Sequence, residues 1–168
     1  ETLHPALFAL LSLRSVLGLR SCINTVCRML NPARAPASVQ GVFHPTYRLL
    51  QVDAAHLLGW RALTVIKGGG GEFERHPGKP TAGFGLRGGM PFEASYPAAL
   101  ERAVRLAEGP RPDTTLAGLW TGSTPDPFAE AVVIGTTALA LETLGIVTPD
   151  DAAQRLWAGR PARREIAA

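Results

Sequence analysis

"VIKGGGGEFER", residues 65–75, is the stretch on which the reading of this chain turns. The β-branched run "ALTVIK" ends in four consecutive glycines, the pattern of a buried strand closed by a glycine turn. Upstream of it, Pro45 opens a helical pattern that runs to about Leu58 and stops at Gly59, and "VQGVF" before that is a short strand. Strand, helix and strand joined by short loops make a βαβ unit, which makes the two strands parallel. Downstream, "TAGFGLRGG" and "MPFEAS" read as a further strand or hairpin of the same sheet. Helices are expected at about 97–108, 126–145 and 149–159. The last opens with Thr148-Pro149-Asp150-Asp151, a capping residue followed by acids in the first turn. Ahead of the strands, residues 5–18 carry an apolar helical face (Leu7, Leu10, Leu11, Leu13, Leu17) broken by Gly18. "RSCINTVCRML" resumes the helical pattern, and the loop "NPARAPAS" follows. The expected fold class is α/β: one domain over 1–168, with a mostly parallel central sheet flanked by helices.

With 168 residues, 46% of them hydrophobic and 18% charged, the chain has the makings of one packed core, and long disorder is excluded. The net charge of +3 is unevenly placed. Residues 1–66 carry six arginines against Glu1 and Asp53, residues 67–125 seven basic against six acidic groups, and residues 126–168 four against six. A basic first third suits a polyanionic partner, but solvated surface arginines are the commoner reason for such a charge. The sequence begins at Glu1 and runs at once into a helical segment, so the true start is expected upstream. No signal-peptide pattern is present. The apolar run Ala131–Val147 contains Glu142 and three threonines, which suits a buried helix of a soluble protein better than a membrane span. Cys22 and Cys27 are five apart, neither a zinc spacing nor a disulfide framework, and are expected as reduced, buried thiols of a cytoplasmic protein.

Several motifs can be set aside. Gly83, Gly85 and Gly88 satisfy G-x-G-x-x-G, but extended Met90-Pro91-Phe92 follows where a dinucleotide site requires a helix. Gly78-Lys79 lacks the earlier glycine and the following Ser or Thr of a Walker A loop. His4, His44, His56 and His76 share no metal-ligand spacing.

The segment "HPALFALLSLRSVLGLRSCINTVCRMLNPA" resembles the start of the α/β domain of anthranilate phosphoribosyltransferase, of glycosyl transferase family 3. His4-Pro5-Ala6, Arg14, Leu17-Gly18, Arg20-Ser21, Asn24 and Asn31-Pro32 fit the family pattern without a gap. "VIKGGGGEFER" falls where that family has a strand ending in V-H-G-x-D-G-x-D-E, and "FAEAVVIGTTALALETLGIVTPDDAAQRLWAG" looks like its closing helices. The resemblance implies that a small helical domain and a glycine-rich diphosphate loop precede Glu1. It implies that Arg20, with Asn24, lines an acceptor site, since a planar guanidinium suits a carboxylate. Glu74 matches the glutamate of the family's magnesium-binding Asp-Glu pair. The departures fall on the chemistry: Phe73 replaces the Asp of that pair, Gly70 the earlier Asp, Lys67 the His, and Cys27-Arg28 a Gly-Pro. Glu72 substitutes as a ligand only if the loop reshapes, although alternation in an extended loop turns it the same way as Glu74.

"LNP", "APAS", "QGVFHP", "KGGGGE" and "GLR" further resemble the YbiB-type paralogues of that enzyme. That resemblance implies a homodimer in the full-length protein and nucleic-acid binding, single-stranded and independent of sequence, through a basic groove. It implies no cofactor, magnesium entering only if transfer survives, and no membrane partner. Arg20, Arg28, Arg34, Lys67 and Arg75 are the expected phosphate contacts, Arg20 and Arg28 falling roughly 80° apart if one continuous helix carries both. The alternative is a working transferase that moves phosphoribosyl from phosphoribosyl diphosphate to anthranilate or a related aromatic acceptor.

Overall fold

A computed structural model describes residues 5–19, 22–102 and 104–160. The chain divides into two units, 1–35 and 36–168.

The first unit contains α1 (Pro5–Leu17) and α2 (Ile23–Arg28). Gly18, at φ +66°, ends α1 and donates its N–H to the Arg14 carbonyl at 3.0 Å. Neither helix has a buried residue, and Phe8, Leu10, Leu13 and Val16 are exposed. Cys22 is exposed and Cys27 half-buried, so the expectation of two buried thiols is corrected. Asn31 closes the unit by bonding both ways to Ala35, its side-chain N–H to the carbonyl (2.8 Å) and its Oδ1 to the amide (2.9 Å).

The second unit is built on β1 (Ser38–Val42), α3 (Tyr47–Leu57), β2 (Ala62–Lys67), β3 (Thr81–Arg87) and β4 (Met90–Tyr96), in sheet order β1-β2-β3-β4. β1 and β2 are parallel, as the βαβ pattern requires, with Val39 opposite Thr64 and Val42 opposite Lys67. β2–β3 and β3–β4 are antiparallel. The expected mostly parallel sheet is therefore corrected to a mixed one. Met90 pairs Arg87 directly across Gly88-Gly89, both at positive φ, so the chain returns as a tight hairpin and has no length for a crossover.

α4 (Leu116–Thr121), α5 (Pro127–Thr143) and α6 (Pro149–Ala158) complete the unit. Ile66 clusters with Tyr96 and Leu139 of α5, and the buried Thr64 hydroxyl lies 2.8 Å from that of Thr143, also of α5. Strand side chains alternate, so Leu63 and Val65, both 0% exposed, point to the opposite face, and α3 also packs on β2 and β3. β2 is thus covered on both faces, which is why it is uninterrupted apolar or β-branched.

The helix expected at 97–108 is not formed by the described residues there, which end in one 3₁₀ turn, Leu106–Glu108. The Val104 carbonyl, which a helix would pair with the Glu108 N–H, bonds His76 Nε2, and the Glu108 N–H bonds the Arg105 carbonyl at 3.0 Å instead. α5 is buried along Phe128, Ala129, Ala138, Leu139 and Thr143, and its middle residues 131–137 are half-buried rather than core. Among the described residues no helix is long and apolar enough to cross a membrane.

Candidate functional site

Parallel strands β1 and β2 end side by side, the position at which open α/β sheets place their ligands. The Gly68 N–H extends the pairing by one bond, 3.0 Å to the Val42 carbonyl. The chain then reverses through Gly71, at φ +88°. On its return, the Glu72–Phe73 peptide presses against both strand ends. A Cβ on Gly41 would lie 2.0 Å from the Glu72 carbonyl oxygen, and one on Gly68 2.2 Å from it. Glycine is required at those two positions by the chain's own return path.

The Glu72 side chain folds back onto the loop that precedes it. Its Oε1 accepts the Gly69 N–H at 2.6 Å and its Oε2 the Gly70 N–H at 2.5 Å. Successive backbone N–H groups aimed at one point form an anion-binding concavity, and here a carboxylate of the same chain fills it. Partial burial pushes the Glu72 carboxyl up. The hydrogen bonds from backbone N–H groups of Glu72, Gly70 and Gly69 and the charge of Lys67 outweigh this, leaving it below its ordinary value.

Beside the loop lies a cleft of about 560 Å³, whose charged walls are Lys67, Lys79 and Arg105 against Glu72 and Glu74. Lys67 Nζ lies 3.5 Å from the Gly68 carbonyl and 6.0 Å from the centre of the Phe43 ring. Glu74 keeps Oε2 buried without a hydrogen-bond partner. His76, on the same wall, is a structural pin. Its Nδ1 accepts the Gly78 N–H at 3.0 Å and its Nε2 bonds the Val104 carbonyl, so the neutral tautomer with the proton on Nε2 satisfies both partners. Its ring stands edge-on to Phe128, at the start of α5.

The cleft gathers Lys67, Glu72 and Glu74 of the residues expected from sequence. Arg75 is not among its lining residues. Its guanidinium donates to the Pro97 carbonyl at 2.8 Å and lies 5.3 Å from the centre of the Tyr96 ring, while its N–H donates to Thr136 Oγ1 at 3.0 Å. In the first unit, Asn24 and exposed Arg28 share α2, four residues apart and so on one side of it. Arg34 is exposed, in the left-handed region at φ +50°. Arg20 lies outside the described residues. α2 runs from Ile23 to Arg28, and the expected common side of Arg20 and Arg28 falls, with Arg20, outside the described residues. Sequence reasoning gives no site role to Lys79, which fits no Walker A loop, or to Arg105, which lies inside the expected helix that does not form.

Among the described residues, no group of three or more His, Cys, Asp or Glu is placed to hold a metal ion. Magnesium demands oxygen ligands in near-octahedral array. Each Glu72 oxygen accepts a loop amide, Gly70 and Phe73 offer no carboxylate, and the unpartnered oxygen of Glu74 is buried. The residues present do not fit that ion.

No family profile matches the chain. It is 42% identical over 77 residues to an uncharacterized protein of Aquifex aeolicus, a match covering 46% of this chain and 25% of that one. It is 38% identical over 86 residues to anthranilate phosphoribosyltransferase of Paraburkholderia phymatum (51% of this chain, 25% of the relative). The enzyme of the same name from Burkholderia ambifaria is 36% identical over 90 residues (54% and 26%). The matched stretches span about a quarter of the length of these curated relatives. About half of this chain is thus similar to anthranilate phosphoribosyltransferases, which supports that family.

Proposed function

We propose that this chain is part of a YbiB-type, anthranilate phosphoribosyltransferase-like protein that binds single-stranded nucleic acid through its phosphates and does not carry out magnesium-dependent phosphoribosyl transfer. The observation that carries the reading is the loop after β2. Where the resemblance calls for metal-binding acids there are Gly70 and Phe73, and the nearest replacement, Glu72, spends both oxygens on Gly69 and Gly70. Transfer of a ribosyl group away from diphosphate builds negative charge on the leaving group, and losing a cation that neutralises it costs several kcal/mol, a factor on the order of a thousand or more. Lys67, Lys79 and Arg105 on the cleft wall bring positive charge to phosphate without any such step. Lysines and arginines aimed at backbone phosphates read no sequence, so binding of this kind is general and salt-sensitive. The full-length protein acts as a homodimer in this reading.

Glu74 favours the second reading. Its buried, unpartnered oxygen on the cleft wall is what a residual ligand to magnesium, or to a substrate hydroxyl, would present. A product assay on the full-length protein with anthranilate, phosphoribosyl diphosphate and magnesium separates the two. No product is expected. Turnover of about one per second, the lower end of ordinary enzymes, establishes the transferase instead.

A further inference from the structure

We infer that Glu72 is a built-in occupant of an anion site: its carboxylate holds the Gly69–Gly70 amides closed, and an inorganic diphosphate or a terminal phosphate competes with it for them. The inference goes beyond nucleic-acid binding and does not depend on it, since the competing ligand is a small anion.

Three features of the loop support it. The two donors are adjacent backbone N–H groups that converge on one carboxylate, at 2.6 and 2.5 Å, one bond to each oxygen. A phosphate presents the same pair of oxygens with more charge, so the geometry that accepts Glu72 accepts it too. The loop opens on the cleft of about 560 Å³, where Lys67, Lys79 and Arg105 supply the countercharge that a second phosphate would need. Finally, the Glu72 peptide lies against Gly41 and Gly68 and its side chain crosses Gly68, while the carboxylate itself is held by the two loop amides and the nearby charge of Lys67. Those polar contacts are the ones a competing anion would replace.

Glu74 provides the internal control. It lines the same cleft with the same charge, but neither Gly69 nor Gly70 donates to it. If Glu72 merely repelled anions, removing Glu74 from the same cleft would help too. If Glu72 occupies the site, only its removal frees the donors.

The test is titration of inorganic diphosphate into the full-length protein, without magnesium, followed by calorimetry and by the backbone amide resonances of Gly69 and Gly70. Glu72→Ala is expected to bind at least about ten-fold more tightly than the wild type, with both amide resonances shifting as diphosphate is added. Glu74→Gln is expected to gain less than about three-fold, with those amides unmoved. Equal gains in the two variants, or a folded Glu72→Ala protein that binds no better than wild type, would overturn the inference. Should Glu72→Ala fail to fold, Glu72→Gln keeps the shape and one acceptor oxygen and frees a single amide. A gain larger than that of Glu74→Gln then supports the inference, and a gain no larger refutes it.

Discussion

Replacing Asp126 by alanine removes four hydrogen bonds from a side chain that is 1% exposed. Oδ1 accepts the N–H groups of Phe128 and Ala129, each at 3.0 Å, and so caps α5. Oδ2 accepts the Arg111 N–H and the Thr114 hydroxyl, each at 2.6 Å. Loss of a helix cap costs about 1 kcal/mol. Leaving the Arg111 and Thr114 donors without their acceptor adds about 1–3 kcal/mol in all, part of it recovered by water. The expected loss for Asp126→Ala is about 3 kcal/mol. Asp126→Asn keeps the capping oxygen but turns an N–H₂ toward two donors, and should lose about half as much. Acid titration gives an independent signature. Burial pushes the Asp126 carboxyl up, but the Thr114 hydroxyl and the amides of Ala129, Arg111 and Phe128 overcome it and hold it at about 2, against an ordinary 3.8. The folded value lies below the unfolded one, so the stabilisation is complete above about pH 4 and is lost as the pH falls toward 2, about 2 kcal/mol in all. Urea unfolding of wild type and both variants at pH 7, and of wild type and the alanine variant from about pH 5 to 2.5, measures both. An alanine variant within about 0.5 kcal/mol of wild type, or one with the same acid slope, refutes the assignment.

Gly41→Ala should destabilise the second unit by about 3 kcal/mol, since its Cβ would meet the Glu72 carbonyl at 2.0 Å and push the returning chain off both strand ends; a thermal midpoint within a degree of wild type contradicts this. Thr143 donates its hydroxyl to the Leu139 carbonyl at 2.7 Å, so Thr64 must donate to Thr143. Thr64→Val should therefore cost only about 1 kcal/mol, and Thr143→Val, which strands the buried Thr64 donor, about twice that; the reverse order in chemical denaturation would show the pair misassigned. Arg28→Glu combined with Lys67→Glu should weaken single-stranded DNA binding about equally for all sequences and flatten its salt slope by about 0.7 per lost phosphate contact; unchanged affinity in filter binding removes both residues from the interface.

The parts of the fold legible in sequence are those in which a local pattern and the final packing agree. "ALTVIK" is apolar or β-branched because α3 and α5 both pack on β2, and Gly59 and the glycine cluster bound it. Residues 97–108 mislead for the opposite reason. Their alanines and leucines favour a helix, yet the Val104 carbonyl bonds His76, 28 residues away, a contact that no local pattern encodes. α4 is absent from the expected helices although its signals stand in the sequence: Thr115 caps it by accepting the Gly118 N–H at 2.9 Å, and Gly122 ends it at φ +75°. Asp126-Pro127 carries an equally plain start signal, but its two further bonds to Arg111 and Thr114 depend on how the preceding loop folds. The site divides in the same way. Glu72 and Glu74 both line the cleft, as alternation along an extended segment predicts. That Glu72 turns back onto Gly69 and Gly70 depends on the reversal at Gly71, which sequence alone does not reveal among four glycines.

The measurement that bears most directly on the proposed function is the affinity of the full-length protein for a fluorescent single-stranded oligonucleotide, followed by anisotropy as salt rises from about 50 to 200 mM. With about three to six phosphates neutralised, the affinity should fall on the order of ten- to several-hundred-fold across that range and be the same for unrelated sequences. Absence of binding at the lowest salt, or binding that is indifferent to salt, would contradict the account.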